Sequence, residues 1–422
     1  MRTLTLAVLL AASAAAPLSA QTDSALVRRA LRLHRAVPMI DGHNDLAEAV
    51  AGRFALSWDS ADIASGVPSL MTDIPRLKAG AVGAQFWSVW ISPAEAQRDA
   101  LRPALEQIDL INQMVQRWPD VFERANTAAD IERIHRHHRI ASLIGLEGGH
   151  FIENSLGVLR EMYALGARYM TLTWNNGLAW VDANSDTVRA NGLSPFGREV
   201  IHEMNRLGML IDLAHVSDSV MVQAMRFSEA PVIFSHSSAR ALTNVPRNVP
   251  DDILRMVRDN GGIVMVNFSC DFVDSVSMRF DAERSAQLRE LRTRFANDPA
   301  GLRAAWQAWR SANPTPRPAL GVLADHIDHI RDVAGIDHVG YGSDFDGISC
   351  TPQGMDDVST FPRLTAELLR RGYSNADAKK VIGQNLLRVL RQAERVAARL
   401  QRERGPSTAT LAQLDSAATR VH

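Results

Sequence analysis

Six side chains in this sequence have the types and the placement to build one reactive centre. His43 and Asp45 stand two apart in Asp41-Gly42-His43-Asn44-Asp45, and Glu147 is followed by Gly148-Gly149. His215 lies in IDLAHVSD, His236 in IFSHSSA and Asp344 in GYGSDFDG. In an extended segment alternate residues face the same way, so His43 and Asp45 can address one ion. Three imidazoles and three carboxylates make a mixed N/O donor set suited to zinc. One zinc takes three or four protein ligands, so five ligand candidates plus a further acid point to two ions. Two ions about 3.5 to 4 Å apart can share a carboxylate, and Glu147 is the candidate for the bridge. Each residue also has a plainer reading: an HxD pair is common, and a single histidine at a strand end is often a hydrogen-bonded core residue. Their shared position tips the balance.

That position comes from the elements that hold them. Short runs rich in β-branched residues alternate with segments of helical period, the pattern of βα units around a parallel sheet. Eight strands are expected, over Val37–Ile40, Val82–Val89, Ile140–Leu146, Tyr169–Thr173, Leu210–Leu213, Val232–Ser235, Ile263–Asn267 and Val339–Gly342. Helices are expected between them, including Ala94–Trp118, Leu156–Leu165, Pro195–Leu207, Ser217–Phe227 and Asp251–Asp259. Eight units predict a (β/α)8 barrel of the TIM type, with a doubly wound open sheet as the alternative. Every candidate ligand then falls at or just past the C-terminal end of a strand, where barrel enzymes build their sites. The Arg-rich stretch Asp271–Pro318 reads as a helical insertion after the seventh strand, and the tail after Arg395 as extra helices. Gly405–His422 reads as a mobile or surface-draped end.

Several other histidines fit bland roles. His135, His137 and His138 sit in IERIHRHHR, a solvated helix end, and His326 and His329 in DHIDHI suit packing or surface hydrogen bonding on an outer helix. His150 lies close to the site in sequence, its role open. The acid pairs Asp251-Asp252 and Asp356-Asp357 suit helix caps. The chain holds only Lys78, Lys379 and Lys380, none at a C-terminal strand end, which disfavours metals bridged by a modified lysine. A GxSxG elbow, a Walker loop and a dinucleotide fingerprint are all missing from the sequence.

Whole-chain properties agree with a small-molecule enzyme. With 422 residues, 46% hydrophobic content and a formal net charge of -1, the chain is an ordinary globular one with no broad electrostatic pull toward nucleic acid or an anionic membrane. Residues 1–20 read as a signal peptide: Arg2, an apolar run Leu4–Ala16, then Pro17-Leu18-Ser19-Ala20, with cleavage after Ala16 or Ala20. Residues 21–422 then form one barrel domain of a secreted or periplasmic protein. An exported chain can form disulfides, but the only cysteines, Cys270 and Cys350, are read as packing residues, and spacing alone gives no bridge.

The segments MIDGHND, LIGLEGGH, YMTLTW, IDLAHVSD, VIFSHSSARALTNVPRNVPDD, VMVNF and VGYGSDFDG together resemble the membrane (renal) dipeptidase family over about residues 37 to 395. The resemblance implies a TIM-like barrel with a binuclear zinc centre that hydrolyses dipeptides, often with a D-residue at the C-terminal position. By motif, His43 and Asp45 would hold one zinc, Glu147 would bridge, and His215 and His236 would hold the other. Asp344 matches the catalytic acid and Arg247 the arginine that grips the substrate carboxylate, a contact guanidinium geometry favours. Two positions depart: Trp174 stands where many members have a substrate-contacting His, and Phe272 where mammalian members have Tyr. Trp174 offers an N–H donor and an aromatic wall but carries no proton, so a changed substrate preference or rate is expected. The tail ending ATRVH is too polar for a lipid-anchor signal, and a homodimer is a further expectation of the family. The alternatives are a hydrolase of the same fold acting on a β-lactam, a lactone or an N-acyl amino acid, or a non-catalytic metal or peptide binder.

Overall fold

In the computed structural model, which describes residues 18–418, the strands close into a parallel barrel. Its eight members are β1 (Met39–Asn44), β2 (Val82–Val89), β4 (Ile140–Glu147), β5 (Ala167–Thr171), β6 (Leu210–Asp212), β7 (Ile233–Phe234), β8 (Ile263–Val266) and β9 (Val339–Tyr341). They run β2-β1-β9-β8-β7-β6-β5-β4, and pairing of β2 with β4, from Ala84 opposite Ala141 to Val89 opposite Leu146, shuts the ring. A ninth short strand, β3 (Phe122–Arg124), pairs with the start of β4, which passes to β5 from Ile144 onward. The open-sheet alternative is therefore excluded. The N-terminal apolar run Leu4–Ala16 lies outside the described residues.

Alternation along the strands sets what faces inward. Ala84, Phe86, Ala141, Leu143, Tyr169, Ile263 and Met265 belong to one buried cluster, while Trp87, Leu146, Met170, Ile211 and Val264 belong to the larger one between strands and helices. Glu147 lies in the row of Leu143 and Gly145, so the barrel's inward face turns polar at its C-terminal rim. Gly145 is required there, because a Cβ would sit about 2.0 Å from the Tyr169 ring.

Several boundaries differ from expectation. β1 begins at Met39 and runs on to Asn44, because Asp41 pairs with Tyr341 and Asn44 with Trp87; His43 is thus inside a strand rather than beyond it. The expected helix Ala94–Trp118 is two helices, Pro93–Ala96 and Leu101–Arg117. Pro103 explains the break, since its ring would strike the carbonyl four residues earlier in a continuous helix. Asp251 and Asp252 are in a first turn but cap nothing; Asp251 instead pairs with His329 at 2.7 Å.

The insertion is helical, as expected: Cys270–Val273, Ser275–Arg294 and Pro299–Ala312. After β9 come helices Phe361–Arg370, Asn375–Lys379, Asn385–Glu403 and Leu411–Ala418. The last is tied down, with Asp415 accepting hydrogen bonds from the Ser194 hydroxyl at 2.7 Å and the Phe196 amide at 2.9 Å. Cys270 and Cys350 form a disulfide, with Cα atoms 5.5 Å apart across 80 residues of sequence. Their reading as packing residues is corrected: the barrel's closure brings the loops after β8 and β9 side by side, which a separation in sequence does not reveal.

Candidate metal centre

β1 carries His43 and delivers Asp45 at its exit, β4 ends on Glu147, and the loops after β6, β7 and β9 supply His215, His236 and Asp344. The structure brings all six together. Glu147 sits in the middle, and its two oxygens face different partners. Oε2 lies 3.5 Å from His43 Nε2, while Oε1 lies 2.9 Å from His215 Nε2 and 3.4 Å from His236 Nε2. His43 Nε2 is also 3.4 Å from Asp45 Oδ2. The ligand atoms of His43, Glu147 and His236, and those of His43, Asp45 and Asp344, form two groups each spanning no more than 4.8 Å.

The imidazoles are aimed by bonds from their other nitrogen. His43 Nδ1 meets the Tyr169 hydroxyl at 2.8 Å, and His215 Nδ1 meets Asn175 Oδ1 at 2.9 Å. His236 Nδ1 meets the Ser235 hydroxyl at 2.7 Å, and that hydroxyl donates to Asp212 Oδ2 at 2.5 Å. Such outer contacts fix the ring orientation and tautomer of metal-binding histidines. On the inner side, His43 Nε2 is buried with no hydrogen-bond partner, and the Nε2 atoms of His215 and His236 stand 3.0 Å apart. Three imidazole nitrogens converge on carboxylates, one of them buried without a hydrogen-bond partner, an arrangement that suits a cation. The donor set fits zinc.

Electrostatics sort the groups further. Burial, with the Arg247 charge nearby, pushes His215 down to about 4, and burial with the neighbouring His43 charge holds His236 well below the usual range. Both are therefore neutral at physiological pH, the form that ligates. Burial alone would raise Glu147, but the His43 charge and hydrogen bonds from His215 and His236 keep it ionised. Asp344 is pushed well above the usual carboxylate range by burial and by Asp45. Backbone geometry marks the same places: His215 at φ 67° and Asp344 at φ 64° are left-handed, a costly conformation that clusters at functional sites.

A cavity of about 570 Å³ opens over the cluster, bounded by Asp45, Glu147, His215, Asp344, Arg247 and Trp174 among others. Arg247 is buried; it donates to His236 O at 3.2 Å and to Ser237 Oγ at 3.3 Å, and its Nε has no partner. Phe272 lies under its guanidinium at 5.2 Å. Trp174 forms a wall against Trp90 and His215, with ring centroids at 5.1 Å and 5.9 Å. His150 stays outside the cluster, its ring on Phe151. His137 and His138 are exposed at the end of their helix and His326 is a buried packing residue, as expected, whereas His135 is half-buried against the Arg35 carbonyl at 3.2 Å.

Sequence reasoning missed the supporting shell. Asp212 accepts from Thr171, Ser235 and the amide of Ala214, and Asp41 accepts from Ser343 and Gln85. Asn267 Nδ2 donates to Asp344 Oδ2 at 2.8 Å. An acid inside an apolar strand was the available signal for Asp212 and Asp41; Tyr169 and Asn267 carried none.

A closed parallel barrel with a histidine and carboxylate cluster at its C-terminal rim, roofed by a cavity that holds a buried arginine, defines a metal-dependent hydrolase. The chain belongs to the membrane dipeptidase family, peptidase family M19, whose model matches residues 27–404. It is 39% identical over 384 residues to dipeptidase verJ of Clonostachys rogersoniana, covering 88% of each chain. It is also 39% identical to dipeptidase 3 of Mus musculus, over 89% of this chain and 68% of the mouse protein. Among solved structures it matches a metallopeptidase from Rhodobacter sphaeroides, liganded with a phosphinate mimic of the dipeptide L-Ala-D-Ala. That match has a TM-score of 0.68 at 25% identity and covers 85% of this chain and 99% of the other. The protein is thus an enzyme of the dipeptidase class.

Proposed function

We propose that the chain hydrolyses dipeptides at a centre of two zinc ions, with His43 and Asp45 holding one, His215 and His236 the other, and Glu147 shared. The observation that carries this is the split of Glu147, with Oε2 toward His43 and Oε1 toward His215 and His236. When bound, the pair of zinc ions supplies an activated water and polarises the scissile carbonyl. The chain's own groups do the rest. Asp344 has Oδ2 occupied by Asn267 and Oδ1 free to take the water's proton and return it to the leaving amine. Arg247, propped on Phe272 and two acceptors, grips the substrate's terminal carboxylate and so limits the length of peptide admitted. Trp174 closes the wall and excludes water without carrying a proton.

Acceptance of a C-terminal D-residue is supported by the L-Ala-D-Ala mimic in the Rhodobacter sphaeroides relative. The N-terminal apolar run and the Cys270–Cys350 disulfide support a secreted or periplasmic location, where such a bond persists. Trp174, at a position where many relatives place a His, is what favours a second reading, a hydrolase of β-lactams, lactones or N-acyl amino acids on the same metals. A panel of L,L and L,D dipeptides set against those substrates separates the two. The dipeptides are expected to be turned over at least tenfold faster; faster cleavage of any other class would replace the assignment.

A further inference from the structure

The cavity holds more carboxylates than the metal centre and proton transfer use. We propose that Glu48 is a specificity residue that selects dipeptides whose N-terminal residue carries a cationic side chain of lysine or arginine type. This rests on the reading of the site as a dipeptidase centre.

Glu48 lies in the first turn of helix Leu46–Phe54, which leaves β1 directly after Asp45. The helix buries Leu46, Ala47, Ala49 and Val50, and Glu48 lines the cavity. Among the described residues its carboxylate makes no hydrogen bond and no ion pair within 4 Å. Burial and the neighbouring Asp45 charge push its carboxyl above the ordinary value, and Arg53 opposes them in part. Its guanidinium, however, is spent on carbonyls, donating to Ser69 O at 2.9 Å and to Asp346 O at 3.4 Å. A second acceptor faces the same cavity: Asp346 takes the Met71 amide on Oδ1 at 2.7 Å, and its Oδ2 is buried with no hydrogen-bond partner. A buried acceptor left unpaired beside the half-buried Glu48 carboxylate suits a donor that arrives with a ligand.

Placement decides which part of the ligand that is. Arg247 follows β7 and Glu48 follows β1, three strands away around the eight-strand ring, and both line one cavity over the cluster. A dipeptide with its carboxylate on Arg247 and its amide over Glu147 sends its N-terminal residue toward the β1 side. Trp90 and Ile348 also line the cavity and offer apolar surface for the methylenes of a long side chain. Lysine and arginine side chains bury such stems while their heads reach a carboxylate.

The test compares Lys-Gly with norleucyl-Gly, which share the four-carbon chain and differ in the terminal ammonium. In the zinc-loaded wild type the ratio of kcat/KM values should favour Lys-Gly by about tenfold, the size of one half-exposed charged contact. In Glu48→Gln that ratio should fall to about one. A wild-type ratio near one overturns the proposal, as does an equal fall for both substrates, which would place Glu48 on the shared α-ammonium. If no dipeptide is cleaved, the dipeptidase reading itself has failed. Calorimetric binding of the same two dipeptides then decides Glu48, with loss of the Lys-Gly preference in Glu48→Gln as support and equal affinities as refutation.

Discussion

Glu147 shows how much one side chain can organise. It is buried among three imidazoles, and each of its oxygens serves a different side of the cluster, so its removal would leave His43, His215 and His236 without a common anion. Asp344 differs in kind. Burial and Asp45 lift its affinity for protons, and Asn267 fixes one oxygen, which supports its proposed role in moving a proton. Asp344→Asn is accordingly expected to lower kcat by about 10³-fold, within the usual reach of general acid–base catalysis, while metal content stays at the wild-type level. Steady-state kinetics with elemental analysis checks this, and an active Asn variant would remove the role. Trp174 is one of the two residues, with Phe272, whose type departs from the pattern of the family it resembles. Packed between Trp90 and His215, it shapes the cavity without entering any proton path.

At the scale of elements, the strand ends hold nearly everything chemical. The loops after β8 and β9 carry Asn267 and Asp344, and the Cys270–Cys350 disulfide fastens one to the other. Replacing both cysteines by serine should cost about 2 to 4 kcal/mol of stability, the usual range for opening a long loop, read from denaturant unfolding under oxidising conditions. A change below a few tenths would show that packing alone holds these loops. Periodicity made the eight barrel strands and the helical insertion legible in the sequence, and with them the convergence of His43, Asp45, Glu147, His215, His236 and Asp344. The partners of those groups were not legible. Tyr169 and Asn267 act through distances set by barrel closure, and a tyrosine or asparagine near a strand end has no sequence signature for that work. Pairing of Cys270 with Cys350 was hidden for the same reason. The helix break before Leu101 was in principle readable, because Pro103 could not continue the turn before it.

Across the whole molecule, buried neutral histidines tie stability to pH. His326 is pushed down to about 4 by burial, partly opposed by its bond to the Val273 carbonyl, and its Nδ1 accepts the Ala239 amide. Between its ordinary value of 6.5 and about 4 the unfolded chain binds a proton that the native state refuses. Its contribution is therefore complete above pH 6.5 and lost as pH falls toward 4. Asp41, raised to about 6 by burial, acts in the opposite sense, so the comparison needs a variant. Unfolding midpoints of His326→Gln should depend less on pH between 6.5 and 4 than those of wild type; identical slopes would contradict this. The central claim is the two-metal dipeptidase itself. Zinc content per chain, measured alongside dipeptide turnover before chelation, after it and after zinc is restored, tests it most directly. About two zinc ions per chain are predicted, with turnover lost on their removal and regained on their return. Full turnover with no metal, or two tightly held zinc ions with no cleavage of any dipeptide, would contradict it.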